Sequence, residues 1–262
     1  MLQHTGQHKS IILLLPSMKR TYPSPKIILP ARRGFNQQGT MMNVIAIDGP
    51  SASGKGTIAS RVAAALGWHY LDSGALYRLT ALYAQQQNIE WNNEPALANL
   101  AATLPVVFQG QQILLNGHDV SDAIRHENIG MGASAVAQLP QVRAALLQRQ
   151  RDFLTADSGL VADGRDMGSV VFPHAKLKIF LTASAQIRAE RRAKQLGLPC
   201  EGIEFERILA DIEARDIADS RRAVAPLQQL PDAQLLDTSH LSIEEAVKKV
   251  LDWYNKIEQS AV

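Results

Sequence analysis

A single cysteine, Cys200, stands in the whole chain of 262 residues. An internal disulfide is therefore excluded, as is a zinc site built on several thiolates, and the setting fits a reducing cytoplasm. No apolar run approaches the ~20 residues that a membrane-spanning helix needs. Internal repeats and low-complexity tracts are also missing. Acidic residues are absent from residues 1–41, which carry Lys9, Lys19, Arg20, Lys26, Arg32 and Arg33. Taking those six from 27 cations leaves 21 against 25 acids, so the overall +2 conceals a slightly acidic body. That balance argues against a broad nucleic-acid face, and neither nucleic acid nor membrane is expected as a partner.

Residues 1–41 read as separate from the rest. They hold four prolines and no sustained period. The run Ile11 to Leu15 is too short for a secretory signal. A basic, acid-free composition leaves an organelle transit peptide as an alternative to a disordered tail. A translation start at Met41 or Met42 would make the segment a non-native extension. Residues 42–262 are expected to form one α/β domain.

From Val44 onward, short apolar runs alternate with amphipathic stretches. Strands are expected over 44–48, 69–71, 160–162 and 178–182, with a weaker one at 235–236. Helices are expected over 55–66, ended by Gly67, and over 74–87. Strands separated by helices mean right-handed βαβ units and a parallel sheet. One region breaks this rhythm: 105–109 and 112–116 flank Gly110, and Asn116-Gly117 marks a second turn. It reads as a small inserted antiparallel meander. A last helix starts at Ser242, with Glu245 completing a capping box.

The stretch GPSASGKGT, comprising Gly49, Pro50, Ser51, Ala52, Ser53, Gly54, Lys55, Gly56 and Thr57, sets one lysine among small residues between a strand and a helix. Glycines let successive N–H groups point inward, the helix start adds its positive dipole end, and Lys55 adds a mobile charge. Polyphosphate is the ligand that needs all three, so the stretch reads as a phosphate-binding loop. The residue after Lys55 is Gly56, and the hydroxyl is displaced to Thr57. A Mg²⁺ ion is then expected to be held more by water and phosphate than by a protein hydroxyl. No dedicated metal-ligand set is expected.

The Gly-Lys-Gly-Thr form resembles nucleoside-monophosphate kinases, and a kinase of this type needs a second anion site facing the first. Four arginine-bearing stretches are candidates. In LDSGALYR, Asp72 or Ser73 would cap a helix that carries Arg78. In ADGRDMG, Asp163, Arg165 and Asp166 crowd a strand end. Asp211, Arg215 and Asp219 recur at helical spacing, ordinarily a salt-bridged face, and run on to Arg221 and Arg222. Arg188, Arg191 and Arg192 share one helix, which reads either as a solvated face or as a lid that places guanidinium groups on a transferring phosphoryl.

With SAQIRAERR and DSRRAVAPL, these motifs in this order resemble the bacterial cytidylate kinase (CMP kinase) family of P-loop nucleoside-monophosphate kinases, over about residues 42–257. The resemblance implies a three-layer α/β/α P-loop NTPase core with a five-stranded parallel sheet. It also implies an inserted small antiparallel sheet in a monophosphate-binding region at about 73–150, and a short lid at about 188–222. It implies transfer from ATP, with Mg²⁺, to CMP or dCMP by a cytoplasmic monomer. Gly49 to Thr57 would take ATP; Arg78, Arg165 and Arg222 would clamp the CMP phosphate, with Lys55 and Arg191 also catalytic. Ser134, Arg143 and Asp166 would read cytosine, Arg215 and Asp219 the ribose, and Ser73 and Asp163 would support them. Family members often carry glycine where Ala52 stands; alanine is expected to have a modest effect if its φ is negative. A UMP/CMP or shikimate kinase, and a non-catalytic nucleotide-binding module, are the alternatives.

Overall fold

The structure is a computed structural model that describes residues 42–109 and 112–260. The expectations for residues 1–41 and for the turn at Gly110 lie outside the described residues. Strand β1 (Met42–Asp48) leads through the glycine-rich loop into helix α1 (Lys55–Leu66), which Gly67 ends at φ +65°. Strand β2 (His69–Asp72) and helix α2 (Ser73–Gln86) follow, with Asp72 accepting the N-cap hydrogen bond from Ala75 N–H at 3.0 Å. Helix α3 (Glu94–Ala102) precedes a three-stranded meander, β3 (Val106–Gln109), β4 (Gln112–Leu115) and β5 (His118–Asp119). Its second turn is Asn116-Gly117, both at positive φ as such a hairpin requires. Helices α4 (Glu127–Val136) and α5 (Pro140–Arg151) return the chain to strand β6 (Leu160–Gly164). Strand β7 (Ala175–Thr182), helices α6 (Ala185–Leu196) and α7 (Ile203–Ser220), strand β8 (Gln234–Asp237) and helix α8 (Ile243–Ser260) complete the fold.

The expected five-stranded parallel sheet is present, in the order β2-β6-β1-β7-β8. Successive residues of a strand face opposite sides. Val44 and Ala46 of β1 accordingly pack into an apolar cluster with α2 to α5, while Ile45 and Ile47 pack into another with α1 and α8. A third, small cluster of Ala189, Ala193, Phe205 and Ile212 joins α6 to α7. Strand β7 begins three residues earlier than its apolar run suggests, because Lys176 and Lys178 alternate with buried Ala175, Leu177 and Ile179. Helix α4 is glycine-rich for a packing reason. A Cβ on Gly132 would come within 2.5 Å of the Trp91 ring. The capping box at Ser242 and Glu245 forms as expected.

Two features hold the strand ends where ligands bind. Gly49 lies against β7 so closely that a Cβ would sit 2.0 Å from the Leu181 carbonyl oxygen. Buried Asp48 accepts from the N–H groups of Met167 at 2.7 Å and Gly168 at 2.8 Å, tying the end of β1 to the loop after β6. Burial pushes its carboxyl up to about 6, against the pull of those two donors. The expectation for Ala52 is corrected: its φ is +56°, a left-handed conformation. A residue with a Cβ pays about 1–2 kcal/mol there.

Asp48→Asn puts an N–H₂ against an N–H donor. It is expected to lower stability by about 1–3 kcal/mol, read from the urea midpoint. Ala52→Gly is expected to raise stability by about 0.5–1 kcal/mol, the relief of the left-handed strain exceeding the added freedom of the unfolded chain. A lowered thermal midpoint in that variant would contradict the strain.

Candidate active site

Parallel strands in register deliver their last residues to one place. Asp72 pairs with Asp163 across β2 and β6, and Asp48 with Gly164 across β1 and β6. The open side of this edge is a cleft of about 580 Å³. The position agrees with the rule that ligands of open α/β sheets bind beyond the carboxyl ends of the strands, where the connections diverge.

One wall of the cleft is the glycine-rich loop. Gly54 precedes α1 in the left-handed region at φ +91° and offers no side-chain cap. The first N–H groups of α1 are therefore left for an external anion. Ser53 Oγ donates to the Pro50 carbonyl at 2.9 Å, and Lys55 Nζ donates to the same oxygen at 3.0 Å. The loop is braced from outside by arginines of α6. Arg188 donates to the Ser51 carbonyl at 3.2 Å and forks onto Asp216 of α7 at 3.1 and 2.5 Å. Arg191 donates to the Ser53 carbonyl at 3.0 Å and to the Thr238 carbonyl at 2.6 Å.

The Arg191 guanidinium is thus held between the loop and Thr238, while its neighbour Arg192 is among the residues that line the cleft. The helical turn separates them by about 100°, so adjacent arginines face different partners. The solvated-face reading of this helix is overturned, since Arg188 is buried.

The opposite wall carries the other predicted residues. Ser73, Arg78, Ser134, Arg143, Asp163, Arg165, Asp166, Arg215, Asp219 and Arg222 all line the same cleft as the loop. Arg165 spans both walls, donating to Ser51 Oγ at 2.8 Å and to Asp219 at 2.5 Å. Asp219 thus pairs with the residue that follows β6 and not along its own helix. Burial raises its carboxyl, but Arg165, Arg222 and Lys55 outweigh burial and leave it below the ordinary carboxylate range. Arg143 and Asp166 form a buried ion pair. Arg222 donates through Nε to the Asp219 carbonyl at 3.3 Å, and its buried Nη2 has no partner among the described residues. Arg78 donates to the Ile124 carbonyl at 2.8 Å. Burial, then the nearby Arg215 and Arg125, pulls its guanidinium down to about 10. Ser134 Oγ donates to the Gly130 carbonyl at 3.1 Å.

Several participants escape a reading by motif. Asp48 precedes the loop and looks like a strand residue. Tyr70 donates to Asp163 at 3.0 Å from a strand of mixed pattern. Arg125, just before α4, pairs with Asp72 at 3.1 Å, and Glu127, the first residue of α4, with Arg192 and Arg215. The aspartate-rich ends of β2 and β6 were the one available hint, since those carboxylates need cations.

A family model described as cytidylate kinase matches residues 45–256. A cytidylate kinase of Neisseria meningitidis is 74% identical over 214 residues, covering 82% of this chain and 98% of that relative. One from Chromobacterium violaceum is 61% identical over 217 residues, covering 83% and 97%. One from Ralstonia pickettii is 53% identical over 215 residues, covering 82% and 93%. No helix among the described residues is long and apolar enough to cross a membrane. A match that spans the loop, the meander and the arginine wall together, at such identity, means that the chain belongs to the cytidylate kinase family.

Proposed function

We propose that the cleft transfers the γ-phosphoryl group of ATP to CMP or dCMP, giving ADP and CDP or dCDP. The observation that carries this reading is the pair of facing anion cradles in one cleft, the glycine-rich loop with Lys55 and the wall with Arg78, Arg165 and Arg222. A phosphate oxygen of CMP attacks the γ-phosphorus, and the bond from that phosphorus to the β,γ-bridging oxygen breaks. The monophosphate dianion is already a competent nucleophile, so no side chain need take a proton. Catalysis is positioning plus neutralisation of charge. Arg165 touches both walls and is suited to the moving phosphoryl group; Arg222 brings a buried donor with an unused N–H group.

Arg143 and Asp166 support cytosine recognition. Arginine only donates and ionised aspartate only accepts, so the pair presents a donor beside an acceptor. Cytosine offers an acceptor at N3 and a donor at N4, which match. Uracil reverses both and leaves buried polar groups unpaired. Arg215 and Asp219 are read as the ribose contacts, and Ser134 and Ser73 as support for base and phosphate.

The family implies Mg²⁺, and the oxygen groups at the loop fit a hard cation. A Cβ on Gly56 would lie 3.3 Å from the Tyr70 hydroxyl and 3.8 Å from an Asp163 oxygen. A side chain there would be crowded, so these oxygens stand close against the loop. Burial, then Asp72, pushes the Asp163 carboxyl up to about 7, and a neighbouring cation would reverse that. Asp163, Asp72 and Thr57 would hold the ion, directly or through water; its chemistry is to neutralise phosphate charge. We read the domain as residues 42–262, with a CMP-binding region at about 73–150 and a lid at about 188–222. We read the enzyme as a cytoplasmic monomer, a reading to which lone, exposed Cys200 is suited.

Initial rates with ATP across CMP, dCMP, UMP, AMP and shikimate test the assignment. CMP or dCMP is expected to lead, and a higher kcat/KM for any of the others would overturn it. Arg143→Met is expected to raise KM for CMP at least about tenfold more than KM for ATP. The same change strands Asp166 and is expected to cost about 3–5 kcal/mol, read by urea unfolding; equal KM effects would remove Arg143 from the base site. Burial, then Arg165, pulls the Lys55 ammonium down to about 7. The cation is the binding form and a triphosphate raises its pKa, so ATP binding above pH 7 takes up a proton and weakens as pH rises. Calorimetry at pH 8 in buffers of differing ionisation enthalpy is expected to show that uptake in the wild type and its loss in Lys55→Met.

A further inference from the structure

We propose that Glu127 is the resident anion of the nucleotide cleft, holding Arg192 and Arg215 and yielding them to the incoming nucleotide, Arg192 to its phosphate and Arg215 to the adjoining ribose. Its two carboxylate oxygens take arginines from two different helices. Arg192 of α6 reaches Oε2 at 2.6 Å, and Arg215 of α7 reaches Oε1 at 3.4 Å. Glu127 itself begins α4, so the paired groups come from three different helices. Arg215 also donates to the Gly130 carbonyl at 3.4 Å, and Arg78 to the Ile124 carbonyl at 2.8 Å. Three arginines therefore converge on one short segment, and Glu127 is the carboxylate that neutralises two of them.

Exposure decides what such a pair can do. The Glu127 side chain is 47% exposed and its partners are 25% and 26% exposed. Pairs of that kind contribute about 0.2–1 kcal/mol each and break readily. The buried Arg143–Asp166 pair, 8% and 6% exposed, cannot exchange so cheaply. A phosphate carries more charge than a carboxylate and offers three acceptor oxygens, so it displaces Glu127 from Arg192, and the longer Glu127–Arg215 contact at 3.4 Å is released with it. The freed carboxylate stays in the first turn of α4, where the helix dipole favours it. Glu127 is thus a positioning residue. It keeps Arg192 and Arg215 aimed across the cleft before substrate arrives, and it sets the charge that an incoming phosphate must outcompete.

The inference rests on the cleft being a phosphate site, and the test separates the two. Inorganic tripolyphosphate is titrated calorimetrically into the full chain. Glu127→Gln is expected to bind it about three- to tenfold more tightly than wild type, the two surface pairs having been removed from competition. Asp211→Asn removes the same charge from the same cleft, but Asp211 pairs with neither arginine; its expected gain is below about twofold. In an Arg192→Gln background the Glu127→Gln gain is expected to shrink, the coupling that a double-mutant cycle isolates. Glu127→Asp, whose shorter carboxylate cannot reach both forks, is expected to fall between wild type and Glu127→Gln and serves if Glu127→Gln folds poorly. Unchanged or weaker binding in both Glu127 variants would overturn the proposal. So would a gain matched by Asp211→Asn or undiminished without Arg192. Failure of the wild type to bind tripolyphosphate or form CDP would instead strike the reading of the cleft.

Discussion

A cleft that must receive two phosphorylated nucleotides has to collect cations before either arrives, and the crowding of like charge is the constraint that the rest of the structure answers. Lys55, Arg78, Arg165, Arg215 and Arg222 line one cavity of about 580 Å³. Each would repel the others strongly at low dielectric. The fold supplies counter-charges at short range. Asp219 holds Arg165, Asp166 holds Arg143, and Glu127 holds Arg192 and Arg215. The same crowding shows in the titration of the groups least well matched. Lys55 is pulled down to about 7 by burial and by Arg165, and Arg78 to about 10 by burial and by Arg215.

Parallel pairing is what brings the counter-charges to the right place. Asp72 and Asp163 end adjacent strands in direct register, and Asp48 ends the next. Acids at three strand ends would be as unfavourable as the arginines if they stood alone. Six carboxylates line the cleft against eight lysine and arginine side chains, so the cations are in excess and phosphate completes the balance. Buried pairs such as Arg143–Asp166 act as fixed geometry, while half-exposed pairs such as Glu127–Arg192 can exchange.

Much of this was legible from residue types and spacing. The strand, glycine-rich loop and helix from Val44 to Leu66 declared themselves, because a loop of small residues with one lysine has few other physical uses. The meander was announced by Asn116-Gly117, whose two positive φ angles serve only a tight hairpin. The arginine-rich stretches were visible as well, and those expected to bind substrate do reach the cleft. What stayed hidden was direction. Arg191 and Arg192 are neighbours in the chain, yet one binds a loop carbonyl and Thr238 while the other lines the cleft. The sign of φ at Ala52, on which its effect turns, depends on how the loop curls between β1 and α1. Strand β7 extends back to Ala175, before the expected start at Lys178, because Lys176 interrupts the apolar run.

By itself, the chain's sequence determined the class of fold, the loop that takes phosphate and the set of arginines available to face it, since these follow from local periodicity, glycine's backbone freedom and side-chain chemistry. Tertiary structure alone decided which arginine meets which carboxylate. Arg165 and Asp219 lie 54 residues apart, and Glu127 and Arg215 lie 88 apart. The physical reason is that an ion pair is settled by distance and burial in space, and neither quantity is carried by spacing along a chain.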